Sequence, residues 1–356
     1  MTGVIVGDYL RVKYSINNFL PMMRQVSNSL PYLYQVVTMQ KKLKLQSLMP
    51  IIVLLVLVVF FTSINSNFFS LRNFARIAIA ASPFLMVAVG VTFIILMGSI
   101  DLSMEGAVSL TAVTFCFCFL FFGGTLASGG WIAIGAALLA GALYGALNGF
   151  IHAKLMIPSF MSSLAMGFVG IGATVLLTGG GIVRIDDDIF RLLLTYRLQG
   201  FPLMVYVAGF FLVVGILIQK FTILGRNLYA IGGAEDLAAA SGVPVKRTRI
   251  LAFSLAGFYY ALAGILQVAK LGQAESVTGA NLMFLSITAA VVGGVALWGA
   301  IGGVFNALIG VLIVAVINNG MVVIGLPDYL QDGVLGLLVI VAVILSTNRS
   351  SIRFVK

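Results

Sequence analysis

The sequence predicts an all-α fold, a polytopic bundle of about ten transmembrane helices with both termini on the inner side. Three observations predict it. First, the chain of 356 residues is 61% hydrophobic and only 9% charged, with a mean hydropathy of +1.12. A soluble domain carries roughly one quarter charged residues. This excess of apolar side chains cannot be hidden in a globule of this length, so the solvent is lipid. Second, the apolar runs are long and unbroken, as in PIIVLLVLVVFF from Pro50. Membrane barrels instead alternate apolar and polar residues in short strands. A helix satisfies its own backbone in hydrocarbon, which makes unbroken runs helical. Third, the basic residues gather on alternate connections, as inner loops do.

A spanning helix needs roughly 20 mostly apolar residues. Such runs lie near 48–64, 74–97, 105–122, 131–151, 160–178, 203–220, 249–270, 283–300, 301–324 and 330–346. An even number of crossings puts both termini on one side. With the N-terminus inside, fifteen of the 21 Lys and Arg fall on inner segments and six on outer ones. The opposite orientation inverts that bias. Residues 1–47 hold six basic residues against Asp8 alone and are expected to form a cytoplasmic N-terminal segment. The first apolar run begins too far in for a cleaved leader. The transmembrane domain is expected over 48–346 and a cytoplasmic tail over 347–356.

Two hydrophilic loops are long enough to carry a role. The outer one, 179–202, holds IDDDIFRLLLTYR. Asp186–Asp188 precede an amphipathic stretch, where carboxylates suit the positive end of a helix dipole. It reads either as a helix shielding the bundle or as a docking surface for an external partner. The inner loop, 222–249, contains a short helix by its residues. Glu235 and Asp236 open it, alanines run through Ala240, and Ser241-Gly242 stop it.

Several function classes are excluded. The net charge of +10 flanks apolar spans and serves no nucleic-acid surface. Cys116 and Cys118 lie two apart on one helix and point in different directions, which suits neither a disulfide nor a metal. His152 is the only histidine and has no metal-binding or catalytic companions. No phosphate-cradling G-x-x-x-x-G-K-[ST] exists, so a nucleotide that powers this chain binds on another polypeptide. An intramembrane aspartyl protease needs facing aspartates in separate spans. Here Asp101 shares a stretch with Glu105, and Asp328 and Asp332 sit at one end of the last span. Gly141, Gly145 and Gly149 form a four-residue ladder, repeated by Gly302, Asn306 and Gly310. Small residues on one stripe let helices approach closely. A-L-x-G-x-L recurs in both regions, a weak internal echo.

Several motifs occur in order along the chain. They are I-D-L-S at 100–103, A-L-N-G-F-I-H-A-K-L-M-I-P-S-F at 146–160, L-T-G-G at 177–180, G-R-N-L-Y-A-I-G-G at 225–233 with A-A-x-S-G-V-x-V ending at Val245, A-A-V-V-G-G at 289–294 and I-N-N-G at 317–320. Together they resemble the permease subunits of ATP-binding-cassette importers of the ribose type, which carry monosaccharides. The resemblance spans roughly 48–346. It implies two permease subunits, the same or related chains, in the inner membrane of a bacterium. Two cytosolic ATPase subunits and a periplasmic sugar-binding protein would complete the importer. No cofactor would sit on this chain, and ATP would bind the ATPase. The 225–245 segment would enter a groove on that ATPase, with Gly225, Arg226, Gly232, Gly233, Glu235, Asp236, Ser241 and Gly242 as the coupling residues. The 179–202 loop would face the binding protein. The chain departs from the family at Met104 and Glu105, which precede Gly106, and at Trp298, where a small polar residue is common.

The stretch MGSIDLSMEG, Met97–Gly106, keeps two carboxylates inside forty otherwise nearly uncharged residues. A buried charge is costly unless paired or wet. Gly98 and Ser99 can interrupt a helix. Two readings stand. Either 98–106 is a break lining an aqueous path, with Asp101, Ser103 and Glu105 hydrated, or Asp101 caps the next helix at the inner boundary. Asn148, Asn318 and Asn319 are further path candidates, with interhelical hydrogen bonding as their other reading. Trp298 joins them through the resemblance. A nucleoside or signalling-furanose importer is the nearest alternative. An ion-coupled secondary transporter would usually place ionisable groups in several spans, and this chain has almost none.

Overall fold

The computed structural model describes residues 48–327 together with 330, 331, 333, 334, 336, 337 and 340. The basic segment 1–47, Asp328 and Asp332, most of the last expected span and the tail 347–356 lie outside the described residues. The chain divides into two compact units, Met1–Met49 and Pro50–Lys356. The elements below belong to the second, apart from the first two residues of α1.

The second unit is an all-α helix bundle. Its helices are α1 (Leu48–Ile64), α2 (Leu71–Leu96), α3 (Met104–Phe121), α4 (Gly130–Leu155), α5 (Ser159–Thr178), α6 (Asp188–Thr195), α7 (Leu203–Phe221), α8 (Ile223–Gly233), α9 (Glu235–Ala240), α10 (Val245–Leu271), α11 (Leu282–Val292) and α12 (Val304–Val323). Among the described residues, seven of these are long and apolar enough to cross a membrane, and α1 and α11 are shorter apolar helices. The protein is therefore a multi-pass membrane protein.

Helix α2 is the central column, buried along nearly its whole length from Ala81 to Met97. A helix apolar on all sides is stable only inside other helices. Helices α10, α12, α11 and α7 surround it. The glycine ladder on α4 explains the tightest pairing. A methyl on Gly145 would lie 2.0 Å from the Phe253 carbonyl oxygen of α10, and one on Gly141 would lie 2.4 Å from that of Gly257. Reciprocally, a methyl on Gly257 would lie 2.1 Å from the Gly141 oxygen. The second ladder seats α12 on α11: Asn306 donates to the Gly293 carbonyl at 3.0 Å, and Gly310 faces the Ala289 carbonyl.

The helix expected over 283–300 is shorter in the structure. It ends at Val292 and is followed by an irregular loop, 293–303. Gly294, Gly299, Ala300 and Gly302 all have positive φ there, a conformation no right-handed helix continues. Apolarity marked this segment as buried, and its glycines decided the backbone.

The 179–202 loop folds onto the bundle. Asp187 caps α6. Its carboxylate accepts the Thr125 hydroxyl at 2.6 Å and the Phe190 N–H at 2.9 Å. Phe190 is 2% exposed and wedges between Phe115 and Phe119 of α3, with ring centroids 5.1 and 5.8 Å away. Burial pushes the Asp187 carboxyl up, but the Thr125 hydroxyl and the N–H groups of Phe190, Leu126 and Ile189 outweigh it. The carboxyl is held below its ordinary value. Strand β1 (Val183–Arg184) pairs antiparallel with β4 (Gln273–Ala274). Strands β2 (Arg197–Leu198) and β3 (Phe201–Pro202) close a small hairpin.

Candidate functional site

The break between α2 and α3 spans residues 97–103. Gly98, with φ +73°, turns the chain out of α2. The next residues are irregular, and backbone groups freed at such a break need partners. Helix α5 supplies them. Ser159 Oγ accepts from Ile100 N–H at 3.0 Å, and Ser163 Oγ accepts from Leu102 N–H at 2.9 Å. Serines four apart share one helix face, and here they meet alternate N–H groups of the break.

Asp101 is 1% exposed. Its Oδ1 accepts from Ser103 N–H at 2.9 Å and from the Ser103 hydroxyl at 2.7 Å. Asn148 Nδ2 approaches the same oxygen at 3.5 Å. The Tyr260 hydroxyl of α10 donates to Oδ2 at 3.0 Å. One carboxylate thus ties the start of α3 to α4 and α10. Every acceptor position it uses is filled by protein. This cluster sits at mid-height of α10, since Tyr260 lies about 22 Å above Val245 at ~1.5 Å per residue. Close by, Gly106 of α3 crosses α5, where a methyl would lie 2.2 Å from the Gly167 carbonyl oxygen. The Tyr144 hydroxyl donates to the Met166 carbonyl.

The other path candidates are dispersed. Glu105 is half-buried in the first turn of α3, with no hydrogen bond or ion pair to its carboxylate from any described residue. Trp298 is 53% exposed in the 293–303 loop. Asn319 accepts from Asn73 Nδ2 at 2.9 Å, pinning the far end of α12 to the first turn of α2. Asn318 beside it is half-buried. The structure brings Asp101, Ser103 and Asn148 together, with Glu105 adjacent, and keeps Trp298 and the Asn318–Asn319 pair apart from them.

The 222–249 loop is two helices, α8 and α9. The stop at Gly242 has φ +86°. Glu235 pairs with Arg249 Nη2 at 2.6 Å, fastening α9 to the foot of α10. Arg226, Asp236, Leu237 and Ser241 are exposed, Leu237 at 70%.

The inner face of α8 meets the break directly. A methyl on Gly232 would lie 2.1 Å from the Leu96 carbonyl oxygen, the last of α2, and 2.8 Å from Ala300 N. Ala300, a non-glycine at φ +58°, donates its N–H to that Leu96 carbonyl at 2.9 Å. Tyr229 of α8 donates to the Gly302 carbonyl at 2.6 Å. Gln219 of α7 donates to the Tyr229 hydroxyl and accepts from Val304 N–H at 2.7 Å. Gly225 faces the Gln219 carbonyl oxygen, 1.9 Å from where a methyl would stand, which sets the sharp corner between α7 and α8. Sequence reasoning missed Tyr260, Ser159, Ser163, Gln219 and Tyr229. The i, i+4 serines at the start of α5 and the uncharged polar Gln219 at the end of an apolar run were the available signals.

A bundle of spanning helices, broken at mid-height and carrying a structured 222–249 loop, is the build of a transport permease. The chain belongs to the family described as branched-chain amino acid transport system / permease component, whose model matches residues 73–343. Among its relatives is the ribose import permease protein of Escherichia coli K12, 33% identical over 309 residues, covering 84% of this chain and 93% of the relative. The L-arabinose transport system permease protein of the same organism is 33% identical over 279 residues, covering 78% and 83%. The ribose import permease protein of Bacillus subtilis is 31% identical over 326 residues, covering 89% and 99%. No solved structure matches the chain.

Proposed function

We propose that this chain is the permease subunit of an ATP-binding-cassette importer in a bacterial inner membrane, moving a monosaccharide inward. A periplasmic binding protein delivers the sugar to the outer face near 179–202. A second permease, the same or a related chain, completes the path. Two cytosolic ATPase subunits bind and hydrolyse ATP. In this reading the termini face inward and 48–346 is the membrane-embedded domain. Membership of the permease family and the sugar-transport names of its relatives support it.

The observation that carries the mechanism is the junction of α8 with the α2–α3 break. Gly232 packs against the end of α2, and Tyr229 grips the 293–303 loop. Force applied to α8 and α9 therefore reaches Leu96, and Asp101 five residues on, through backbone contacts alone. Close-packed contacts of this kind have discrete arrangements rather than a soft continuum. The ATPase presses on the surface formed by Arg226, Gly233, Glu235, Asp236, Leu237, Ser241 and Gly242. Gly225 and Gly232 hold that surface against the bundle. The break with Asp101, Ser103, Glu105 and Asn148 is the part of the path that moves. Trp298 moves with the loop, and Asn318 and Asn319 stand at the outer end of α12.

A mild-detergent pull-down from native membranes tests the partnership. The expected companion is an ATPase with a phosphate-binding loop, retained by the intact chain and lost on Leu237→Asp. A chain that arrives alone and moves sugar without ATP overturns the reading in favour of a gradient-driven carrier.

A further inference from the structure

The segment between α10 and α11 does not stay at the end of the bundle. It begins in strand β4, beside the outer-loop strand β1. By Gly279 it has descended to the first turn of α3. A methyl on Gly279 would lie 2.3 Å from the Glu105 carbonyl oxygen, and Gly279 N–H donates to the Ser109 hydroxyl at 2.9 Å. That level is the middle of the bundle, because the neighbouring Gly106 packs on Gly167 in the centre of α5. The descending chain is irregular and polar, QAESVTGAN from Gln273 to Asn281. Irregular backbone at such depth persists only against protein or a water-filled cavity.

Glu105 sits where this segment arrives. Its side chain is half-exposed and has no partner among the described residues. An ionisable group at mid-height cannot be turned to hydrocarbon without heavy cost. A second unmet group stands above it. Gln267 of α10 donates to the Thr278 carbonyl at 3.5 Å, while its Oε1 is buried without a hydrogen bond. Glu275 and Ser276 continue the polar face upward, both half-exposed. The accessible unmatched group on this face is an acceptor, the Glu105 carboxylate. It complements a solute rich in hydroxyl donors.

We infer that Glu105 and the 273–281 segment form the wall of a water-filled outer vestibule that leads from the β1–β4 pair to mid-height and receives a polyhydroxylated solute. This inference rests on the importer reading above. In it, the outer half of the path runs along α3 and the α10–α11 connection. Asp101, 1% exposed and hydrogen-bonded to Ser103 and Tyr260, closes its floor. A sugar hydroxyl donates to Glu105.

Cysteine accessibility tests this in the assembled complex, in vesicles exposing the outer face. The background carries Cys116→Ala and Cys118→Ala. A membrane-impermeant maleimide should label Ser276→Cys and Glu105→Cys at rates near that of the outer-loop control Asp186→Cys. It should leave Leu176→Cys, 86% exposed on the apolar face of α5, unlabelled. D-ribose or L-arabinose, presented with the binding protein, should slow labelling at Glu105→Cys. Rates at both positions equal to that of Leu176→Cys overturn the vestibule, as does labelling at Ser276→Cys with Glu105→Cys silent. Glu105→Leu supplies a second readout, a raised KM for uptake with the ATPase still co-purifying; an unchanged KM contradicts the acceptor role. Loss of the ATPase from the unmodified complex would instead count against the importer reading, so the two failures are distinguishable.

Discussion

At the scale of single residues, Asp101 answers why so apolar a chain keeps a carboxylate in its interior. The group is compensated by two donors from Ser103 and one from Tyr260, with Asn148 close by. Tyr260→Phe removes the donor to Oδ2 and leaves a buried acceptor unmet. The expected cost is about 1–3 kcal/mol, read as a lowered melting temperature of the detergent-solubilised chain. Asp101→Ala separates its two roles. Loss of transport with assembly intact assigns it to the path, whereas surviving transport with weakened assembly assigns it to the start of α3. Asp187 offers a pH test. Its carboxyl is held below the ordinary value, so its stabilisation is present above the usual carboxylate pKa of about 3.9 and fades as pH falls through the lowered one. Asp187→Ala should cost about 1 kcal/mol at neutral pH. The difference in melting temperature between it and the parent chain should close on acidification.

At the scale of elements, apolar length and punctuation made most of the helices legible. The six runs from 48–64 to 203–220 match α1 to α5 and α7 within a few residues at most ends, and Glu235, Asp236 and Gly242 bound α9. The exceptions have physical causes. Apolarity cannot tell a spanning helix from a buried loop, so 283–300 was read through Gly293 and Gly294. The polar segment 273–281 looked like an ordinary connection, because nothing in a sequence states the depth at which a loop lies. Of the candidate site, Asp101, Ser103 and Asn148 could be named from their rarity among apolar neighbours. Tyr260, Ser159 and Ser163 could not, since a tyrosine or serine in an apolar helix is common and only the fold brings these to the break. The glycine ladder gives an element-scale prediction. Gly145→Val would drive a side chain into the Phe253 carbonyl and separate α4 from α10, at a cost of about 1–3 kcal/mol or more. Gly135→Val on the same helix meets nothing within 4 Å and should be tolerated. Comparing the yields of monodisperse protein for the two variants checks this.

At the scale of the whole molecule, helices α2, α4 and α10 interlock through glycines and aromatic side chains. A seam of backbone contacts runs from α8 through Gly232 and Ala300 to the end of α2, then into the irregular break held by Ser159 and Ser163. It contains a residue, Ala300, held at positive φ without being glycine, where strain of order 1–3 kcal/mol is available to a switching element. Tyr229→Phe should keep the ATPase bound yet reduce the sugar moved per ATP hydrolysed, because it releases the 293–303 loop from α8 without touching the exposed face of α9. In the proposed function, ATP on a partner chain drives solute through this one by way of that seam. The most direct test is sugar uptake into proteoliposomes holding this permease, its ATPase and the binding protein. The expected uptake requires ATP and all three components, and is diminished by Tyr229→Phe at unchanged complex assembly. Uptake that persists without the ATPase, and is insensitive to Tyr229→Phe, would contradict it.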